Sequence, residues 1–341
     1  MDHIKILKRA FRITLSYRAL WVFGILLALT TAYRSGGGGN GGSGGSSGGS
    51  SYFPSGHLAS LRLPAVTSQE TTALISLLIL AACAIFLFII ATVILRYLSE
   101  TALIRMVDIY ETTGEKVSVR QGFRLGWSRS SLRIFLIDLL FGLAGTTIFL
   151  LLLIIAAAPL LVWLTESDAI RFVGTLISVG MFLLIVFLLI LAIIVFSLLI
   201  QFIRRACILE NLGVFEAIRR GYHLFRLRLS DVILMGILLF ALGILLVVLM
   251  IPLAIMLGLA AVVLGGLPGL LAGWIASLFA EGAVPWIVAG IVALPIFLLV
   301  VIAPLLFLNG LAEVFKSSTW TLAYREIIAL ETVQAQEPTT G

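Results

Sequence analysis

Charged residues are scarce in this chain: Asp, Glu, Lys and Arg make up 12% of its 341 residues, whereas apolar residues make up 61%. Soluble domains carry about 25% charged and roughly 45–50% apolar residues. The composition therefore excludes an ordinary water-soluble domain, because too few charges remain to cover its surface. Together with long uncharged runs, it predicts an all-α integral membrane protein.

Cysteine and histidine are also rare, with two and three residues respectively. Cys83 and Cys207 show no pairing pattern, so we expect free thiols rather than a disulfide framework. The histidines are His3, His57 and His223, and their wide spacing does not suggest a metal cluster. We therefore expect no bound metal and no cofactor.

Six apolar runs predict membrane spans, since crossing a bilayer takes about 20 apolar residues. The first is short, and a cleaved signal peptide is its alternative reading. We expect residues 1–331 to form a single membrane domain, residues 35–51 to be a Gly/Ser-rich outer loop, and residues 332–341 to be disordered. The predicted spans cover residues 19–33, 73–95, 134–164, 172–203, 232–264 and 284–308.

The Lys and Arg residues are distributed unevenly between the predicted loops. Only Arg34, Arg62 and Arg171 of the 23 basic residues fall on the side opposite the termini. Because cytoplasmic loops carry the excess of Lys and Arg, both termini are predicted to be cytoplasmic. The basic side would then face the anionic headgroups of the inner leaflet.

Three segments on the basic side resemble one another: "AFRITLSYRAL" from Ala10, "GFRLGWSRSSL" from Gly122, and "AIRRGYHLFRL" from Ala217. Each begins with a small residue, a large apolar residue and Arg. Each has a second small residue four positions on, and each ends with Leu before a span. We interpret them as three hairpin repeats, each with two transmembrane helices preceded by a cytoplasmic amphipathic helix.

These segments have helical periodicity, with apolar residues on one face and basic residues opposite. In the first, Ile4, Leu7, Phe11 and Leu15 share a face. This pattern beside a membrane predicts a helix lying in the interface, with anionic lipids as partners. A solvated basic face is the alternative, and nucleic acid is not expected because no aromatic–basic platform is present. The predicted headgroup contacts are Arg12, Arg124 and Arg219, and the predicted interfacial anchors are Phe11, Trp127, Tyr222 and Trp320.

Asp138 and Asp231 lie just inside the third and fifth predicted spans, where carboxylates are functional candidates. Arg133 and Arg228 are nearby in the sequence, which favours a structural role for both. Small residues recur every four positions through Gly265, Gly269 and Gly273, a spacing that lets helices approach closely. Because Pro268 interrupts this run, we expect a separate short outer helix, interfacial or re-entrant, to begin there.

No known catalytic arrangement is evident: the sequence shows no Ser-His-Asp pattern, phosphate loop or carboxylate pair within membrane reach. A GxGxxG match in the Gly/Ser tract follows a span rather than a strand, so it does not indicate a nucleotide site. We predict a non-enzymatic membrane scaffold or partner protein. A transporter or lipid-handling permease is the alternative, and a membrane enzyme with an unrecognised site is a third.

The segments "VSVRQGFRLGW", "FEAIRRGYHLF" and "SSTWTLAYREI" resemble the membrane domain associated with bacterial glycerophosphoryl diester phosphodiesterases. The resemblance covers essentially the whole chain and implies a six-span protein of the bacterial plasma membrane. In some members this domain precedes a soluble catalytic barrel. Here only sixteen residues follow Arg325, so the resemblance carries over no phosphodiesterase activity and no catalytic residues.

Overall fold

The computed structural model describes residues 2–35, 68–158 and 167–336, which form nine α-helices and no strands. Three helices are short and amphipathic, and the others are long and apolar. The helices are α1 (His3–Ser16), α2 (Ala19–Ser35), α3 (Ser68–Thr113), α4 (Val119–Gly126), α5 (Arg129–Ala157), α6 (Asp168–Leu209), α7 (Val214–Leu227), α8 (Leu229–Ser277) and α9 (Val284–Gln336).

Five of these helices, α3, α5, α6, α8 and α9, are long and apolar enough to cross a membrane. A sixth candidate is the pair α1 and α2, which bends by 99° at a short break. In the most apolar 18-residue stretch of each of the five helices, at most 11% of the residues are buried. Such apolar, exposed helices need lipid around them, so the chain is an all-helical membrane protein.

The chain divides into two units by its internal contacts. One unit, Thr30–Arg96, holds the end of α2 and the first part of α3, where the described side chains of residues 75–91 are all exposed. The other unit consists of Met1–Leu29 and Tyr97–Gly341. The buried core lies in this second unit, and every contact discussed below belongs to it.

The three amphipathic helices begin at residues that cap their free N–H groups. The Asp2 carboxylate accepts a hydrogen bond from the N–H of Lys5 at 3.1 Å in α1. In α4, Ser118 and Gln121 form a reciprocal capping box. In α7, the Glu216 carboxylate accepts a bond from the N–H of the residue before the helix at 3.1 Å. Local sequence therefore fixes where each helix starts.

Small residues let two of these helices press against neighbouring backbone. A Cβ built on Gly126 would lie 2.5 Å from the carbonyl oxygen of Leu98 in α3, and one on Gly221 would lie 2.8 Å from the Cα of Ile203 in α6. On α1, Ala10 is fully buried, and this helix packs against α9. The small residues of the repeated segments therefore mark the faces that pack against protein.

We call one well-packed region of this second unit the base. The base consists of α1, α4 and α7 with residues 97–113 of α3, 202–209 of α6 and 310–331 of α9. Many of the large buried side chains are found here, including those of Phe202, Trp320 and Tyr324, and Tyr17 is buried directly after α1. Burial raises the pKa of Tyr17 to about 12, so its hydroxyl stays protonated and donates to the carbonyl of Val117 at 2.7 Å.

The expectation of a separate helix beginning at Pro268 is wrong, because α8 runs unbroken from Leu229 to Ser277 with Pro268 inside it. The small residues of this stretch pack against α9: a Cβ built on Gly269 would lie 2.7 Å from the Cβ of Ala293. Packing between α8 and α9 therefore supports the helix beyond the proline, even though proline removes one helical hydrogen bond.

The predicted boundaries need two further corrections. Helix α9 continues to Gln336, so the predicted disorder from residue 332 is wrong for residues 332–336. The long helices also extend past the predicted spans on the side of the base, as α3 does from Leu95 to Thr113. Most of the Gly/Ser-rich tract and residues 337–341 lie outside the described residues.

Replacing Gly221 with Ala is expected to lower the free energy of unfolding by about 1–3 kcal/mol, because the new Cβ collides with the backbone of α6. Gly243 is a matched control: it lies inside α8, and a Cβ there meets nothing within 4 Å. Gly243→Ala should be neutral or stabilising by up to about 1 kcal/mol. Thermal unfolding in detergent measures both, and equal effects would contradict the packing described for α7.

Candidate functional site

The three long helices α3, α6 and α9 meet inside the base, and we call their shared part (residues 97–113, 202–209 and 310–331) the hub. The rings of Phe202 and Trp320 join α6 to α9, with centroids 5.9 Å apart. Arg325 on α9 donates to the Asp108 carboxylate on α3 at 2.8 Å. Each of these contacts joins residues more than 100 positions apart in the chain.

Arg204 binds two buried carboxylates at the junction of α3, α5 and α6. It donates to Glu100 at 2.6 Å and to both carboxylate oxygens of Asp138 at 2.7 Å. The Tyr97 hydroxyl also donates to Asp138 at 3.0 Å. These side chains are only 10–13% exposed. Asp138 is therefore held by a cation and a phenol, an arrangement that ties three helices together.

Asp231, the other predicted carboxylate, lies at the start of α8. Its carboxylate is 3.9 Å from Arg228 and 3.8 Å from the His3 ring. The His3 ring is also 3.2 Å from the Asp231 carbonyl oxygen. Asp138 and Asp231 thus lie in separate clusters, and the structure does not bring them together as a pair.

Several other cations of the base are bound to carboxylates. Arg9 on α1 donates to Glu111 on α3 at 2.9 Å. Arg220 on α7 donates to Glu331 on α9 at 2.7 Å and to Glu210 at 3.3 Å. The hydrogen bond to Glu331 raises the pKa of Arg220 above its ordinary value. These pairs connect neighbouring helices, so their charges are already satisfied within the protein.

The three predicted headgroup contacts, Arg12, Arg124 and Arg219, differ from these carboxylate-bound arginines. All three side chains are exposed, and none has a hydrogen bond or ion pair among the described residues. Each lies two residues after a buried small residue of its helix. Their guanidinium groups are therefore available to an anionic partner outside the chain.

Three of the four predicted anchors lie on the surface, while the fourth does not. Phe11, Trp127 and Tyr222 are 57%, 73% and 53% exposed. Trp320 is only 3% exposed and packs against Phe202 in the hub, so its prediction as an interfacial anchor is wrong. The reason is that α9 continues as one helix to Gln336 and the Trp320 ring packs against α6.

Two open grooves lie on the amphipathic helices. One, of about 620 Å³, lies along α7 and the preceding turn. It is lined by Glu210, Leu212, Glu216, Arg219, Arg220, Tyr222, His223 and Arg226. The other, of about 490 Å³, lies along α1 beside Phe11 and Arg12. Each groove places an exposed aromatic ring next to a cation, which suits a surface at the depth of lipid headgroups.

In the described part of the chain, no three His, Cys, Asp or Glu residues form a group that could hold a metal ion. Cys83 and Cys207 are both free, the first exposed and the second buried. The charges of the described base are instead arranged for helix packing and for contact with the surroundings.

Sequence reasoning missed the roles of Glu100 and Arg204, which it assigned to cytoplasmic loops. Both lie inside long helices, on α3 and α6, and both are part of the core. One signal was available: the Arg204-Arg205 doublet follows an apolar run without any turn residue between them. A helix can therefore continue past its span when no Gly, Pro or Asn separates the span from its flanking charges.

A family model described as a family of unknown function, DUF7544, matches residues 7–321. The chain belongs to the DUF7544 family. Comparisons with curated proteins and with solved structures found no match. The match covers the base except its two ends, four of the five long apolar helices, and α9 as far as residue 321. The resemblance to the phosphodiesterase-associated membrane domain stays a prediction.

Replacing Arg204 with Met is expected to lower the free energy of unfolding by about 3–5 kcal/mol, because Glu100 and Asp138 would remain buried without their cation. The control is Arg171→Met at the other end of α6, which removes an exposed pair with Asp168 and should cost at most about 1 kcal/mol.

A third variant tests whether the lost stability comes from unpaired charge or from the changed shape of the side chain. Combining Arg204→Met with Glu100→Gln and Asp138→Asn should recover most of the lost stability, because neither carboxylate of the cluster is then left charged without its cation. Thermal unfolding in detergent measures all three variants. A loss for Arg204→Met no larger than that for Arg171→Met would contradict the role of this cluster.

Proposed function

We propose that this chain is a non-enzymatic scaffold of the bacterial plasma membrane, with six spans, both termini in the cytoplasm, and a base that binds anionic lipid headgroups. The observation that carries the proposal is a difference between two sets of basic residues. One set is bound to carboxylates and joins helices, and the other, represented by Arg12, Arg124 and Arg219, is exposed and has no partner among the described residues.

The contacts of the amphipathic helices support three repeats. Helix α4 packs against the end of α3, where Gly126 meets Leu98, and α7 packs against the end of α6, where Gly221 meets Ile203. Helix α1 packs against the end of α9. Each amphipathic helix thus lies on the long helix that precedes it, with α9 acting as the predecessor of α1. This cyclic order is what three equivalent units would produce.

A second series of contacts follows the same cyclic order. The Tyr17 hydroxyl, just before α2, donates to the carbonyl of Val117 in the turn after α3. Arg133 of α5 donates to the carbonyl of Asn211 in the turn after α6 at 2.8 Å. At the start of α8, Asp231 contacts His3. Each helix that follows an amphipathic helix therefore touches the next amphipathic segment in the cycle.

The cluster around Arg204 favours a scaffold over an enzyme or a polar transporter. Its carboxylates, Glu100 on α3 and Asp138 on α5, are bound by Arg204 and are not open to a substrate. The exposed surfaces of the spans, in contrast, are apolar. They suit contact with acyl chains, and lipid handling is therefore the second candidate function.

The first test measures how lipid changes the thermal unfolding of the purified protein in detergent. Phosphatidylglycerol should raise the unfolding midpoint more than phosphatidylcholine. The combined variant R12Q/R124Q/R219Q should weaken the phosphatidylglycerol effect about a hundredfold in apparent affinity, since each cation near an anionic surface is worth about 1 kcal/mol.

Two controls accompany this test. The charge-conserving variant R12K/R124K/R219K should keep most of the lipid effect. Arg171→Gln, outside the base, should leave it unchanged. Equal stabilisation by the two lipids, or a loss for Arg171→Gln matching that of the triple variant, would contradict the proposal. Protein-dependent flux of lipids or solutes in liposomes would favour the permease instead of the scaffold.

A further inference from the structure

Arg205 carries a buried charge without a carboxylate partner. Its side chain is among the largest that are fully buried, with the residue only 2% exposed. Its Nη1 donates to the carbonyl and to the side-chain oxygen of Gln201, both at 2.8 Å, and its Nη2 donates to the carbonyl of Ser317 at 3.1 Å. All of these acceptors are neutral, and Arg205 forms no ion pair among the described residues.

The neighbouring Arg204 has the counter-charges that Arg205 lacks. Arg204 lies one residue earlier on the same helix and is neutralised by Glu100 and Asp138. Glu100 is the carboxylate that acts most strongly on Arg205, yet it is hydrogen-bonded to Arg204 at 2.6 Å. The two arginines thus differ in charge compensation although they are adjacent on the same helix.

Several buried polar atoms of the hub have no hydrogen-bond partner in the described part of the chain. They are the Nε of Arg205 and the hydroxyls of Ser99, Ser317 and Ser318, and the carbonyl of Ser317 is bound by Arg205. The hub threonines behave differently, because each hydroxyl donates to a carbonyl one turn earlier in its own helix. These threonines are Thr101, Thr319 and Thr321, with distances of 2.8 Å in each case.

This combination of a buried guanidinium with unpaired N–H and O–H donors fits an anion. A buried charge without a counter-charge costs several kcal/mol, and each unpaired polar group adds about 1–3 kcal/mol. Water would satisfy the hydroxyls but would leave the charge of Arg205 uncompensated. We propose that the hub binds a small monovalent anion of the size of chloride beside Arg205.

The surroundings limit the size of this anion. Phe202, Trp320 and Tyr324 pack together in the same part of the hub and are all at most 3% exposed. This close ring packing favours a small anion over a phosphate or a lipid headgroup. The site is thus separate from the exposed arginines that contact lipid, and either proposal stands if the other fails.

The test compares the thermal unfolding of the purified protein in chloride and in gluconate at equal ionic strength. Chloride should raise the unfolding midpoint, by about 3 °C at a chloride concentration of about five times the dissociation constant. Arg205→Gln should abolish this difference. Arg120→Gln, which changes an exposed arginine of α4, should retain it and controls for general electrostatic effects.

A direct measurement covers the case in which Arg205→Gln does not fold. Equilibrium dialysis of the wild-type protein with radiolabelled chloride should show saturable binding of one anion per chain, and the double variant S317A/S318A should weaken it at least severalfold. Absence of saturable binding, or equal unfolding midpoints in chloride and gluconate, would overturn the proposal. Retention of the chloride effect in a folded Arg205→Gln variant would overturn it as well.

Discussion

Apolar spans gain little by contacting one another rather than lipid, so the hydrophobic effect alone cannot fix how the spans of this chain are arranged. Apart from the small-residue contact between α8 and α9, the structure meets this constraint outside the apolar stretches. Large side chains are buried where the long helices continue past their spans and meet the amphipathic helices. Close backbone approach at Gly126 and Gly221, together with the cluster around Arg204, joins these helices to one another. The arrangement of the helices that meet in the base therefore depends on the packing of the base.

The base also separates two uses of positive charge. Arg204, Arg220 and Arg325 are bound to carboxylates on other helices and so act within the fold. Arg12 and Arg124 lie on the outer faces of amphipathic helices, where no partner from the described chain reaches them. A helix that packs with small residues on one face can present cations and aromatic rings on another. This double role explains why the amphipathic segments combine Gly or Ala with Arg at fixed spacing.

Much of this fold is predictable from sequence, because long apolar runs mark spans and a 3.6-residue period marks the amphipathic helices. The packing faces are harder to predict. Hydrophobicity does not distinguish a side chain that faces lipid from one that faces protein: Phe11 is exposed whereas Trp320 is buried. Nor does the sequence show that Arg204 and Arg205, adjacent in the chain, have different partners. Their partners come from helices far away in the sequence, and only the assembled hub brings them together.

The central claim is that a single base on the cytoplasmic side organises the chain. The most direct test determines on which side of the membrane the helices of the base lie. Single cysteines at positions 12, 124, 219 and 281, introduced after replacing Cys83 and Cys207, can be labelled in intact cells with a membrane-impermeant thiol reagent. The account predicts that Glu281→Cys, in the turn between α8 and α9, reacts from outside. The cysteines replacing Arg12, Arg124 and Arg219 should react only after the membrane is opened. Labelling that placed positions 124 and 219 on opposite sides would contradict it.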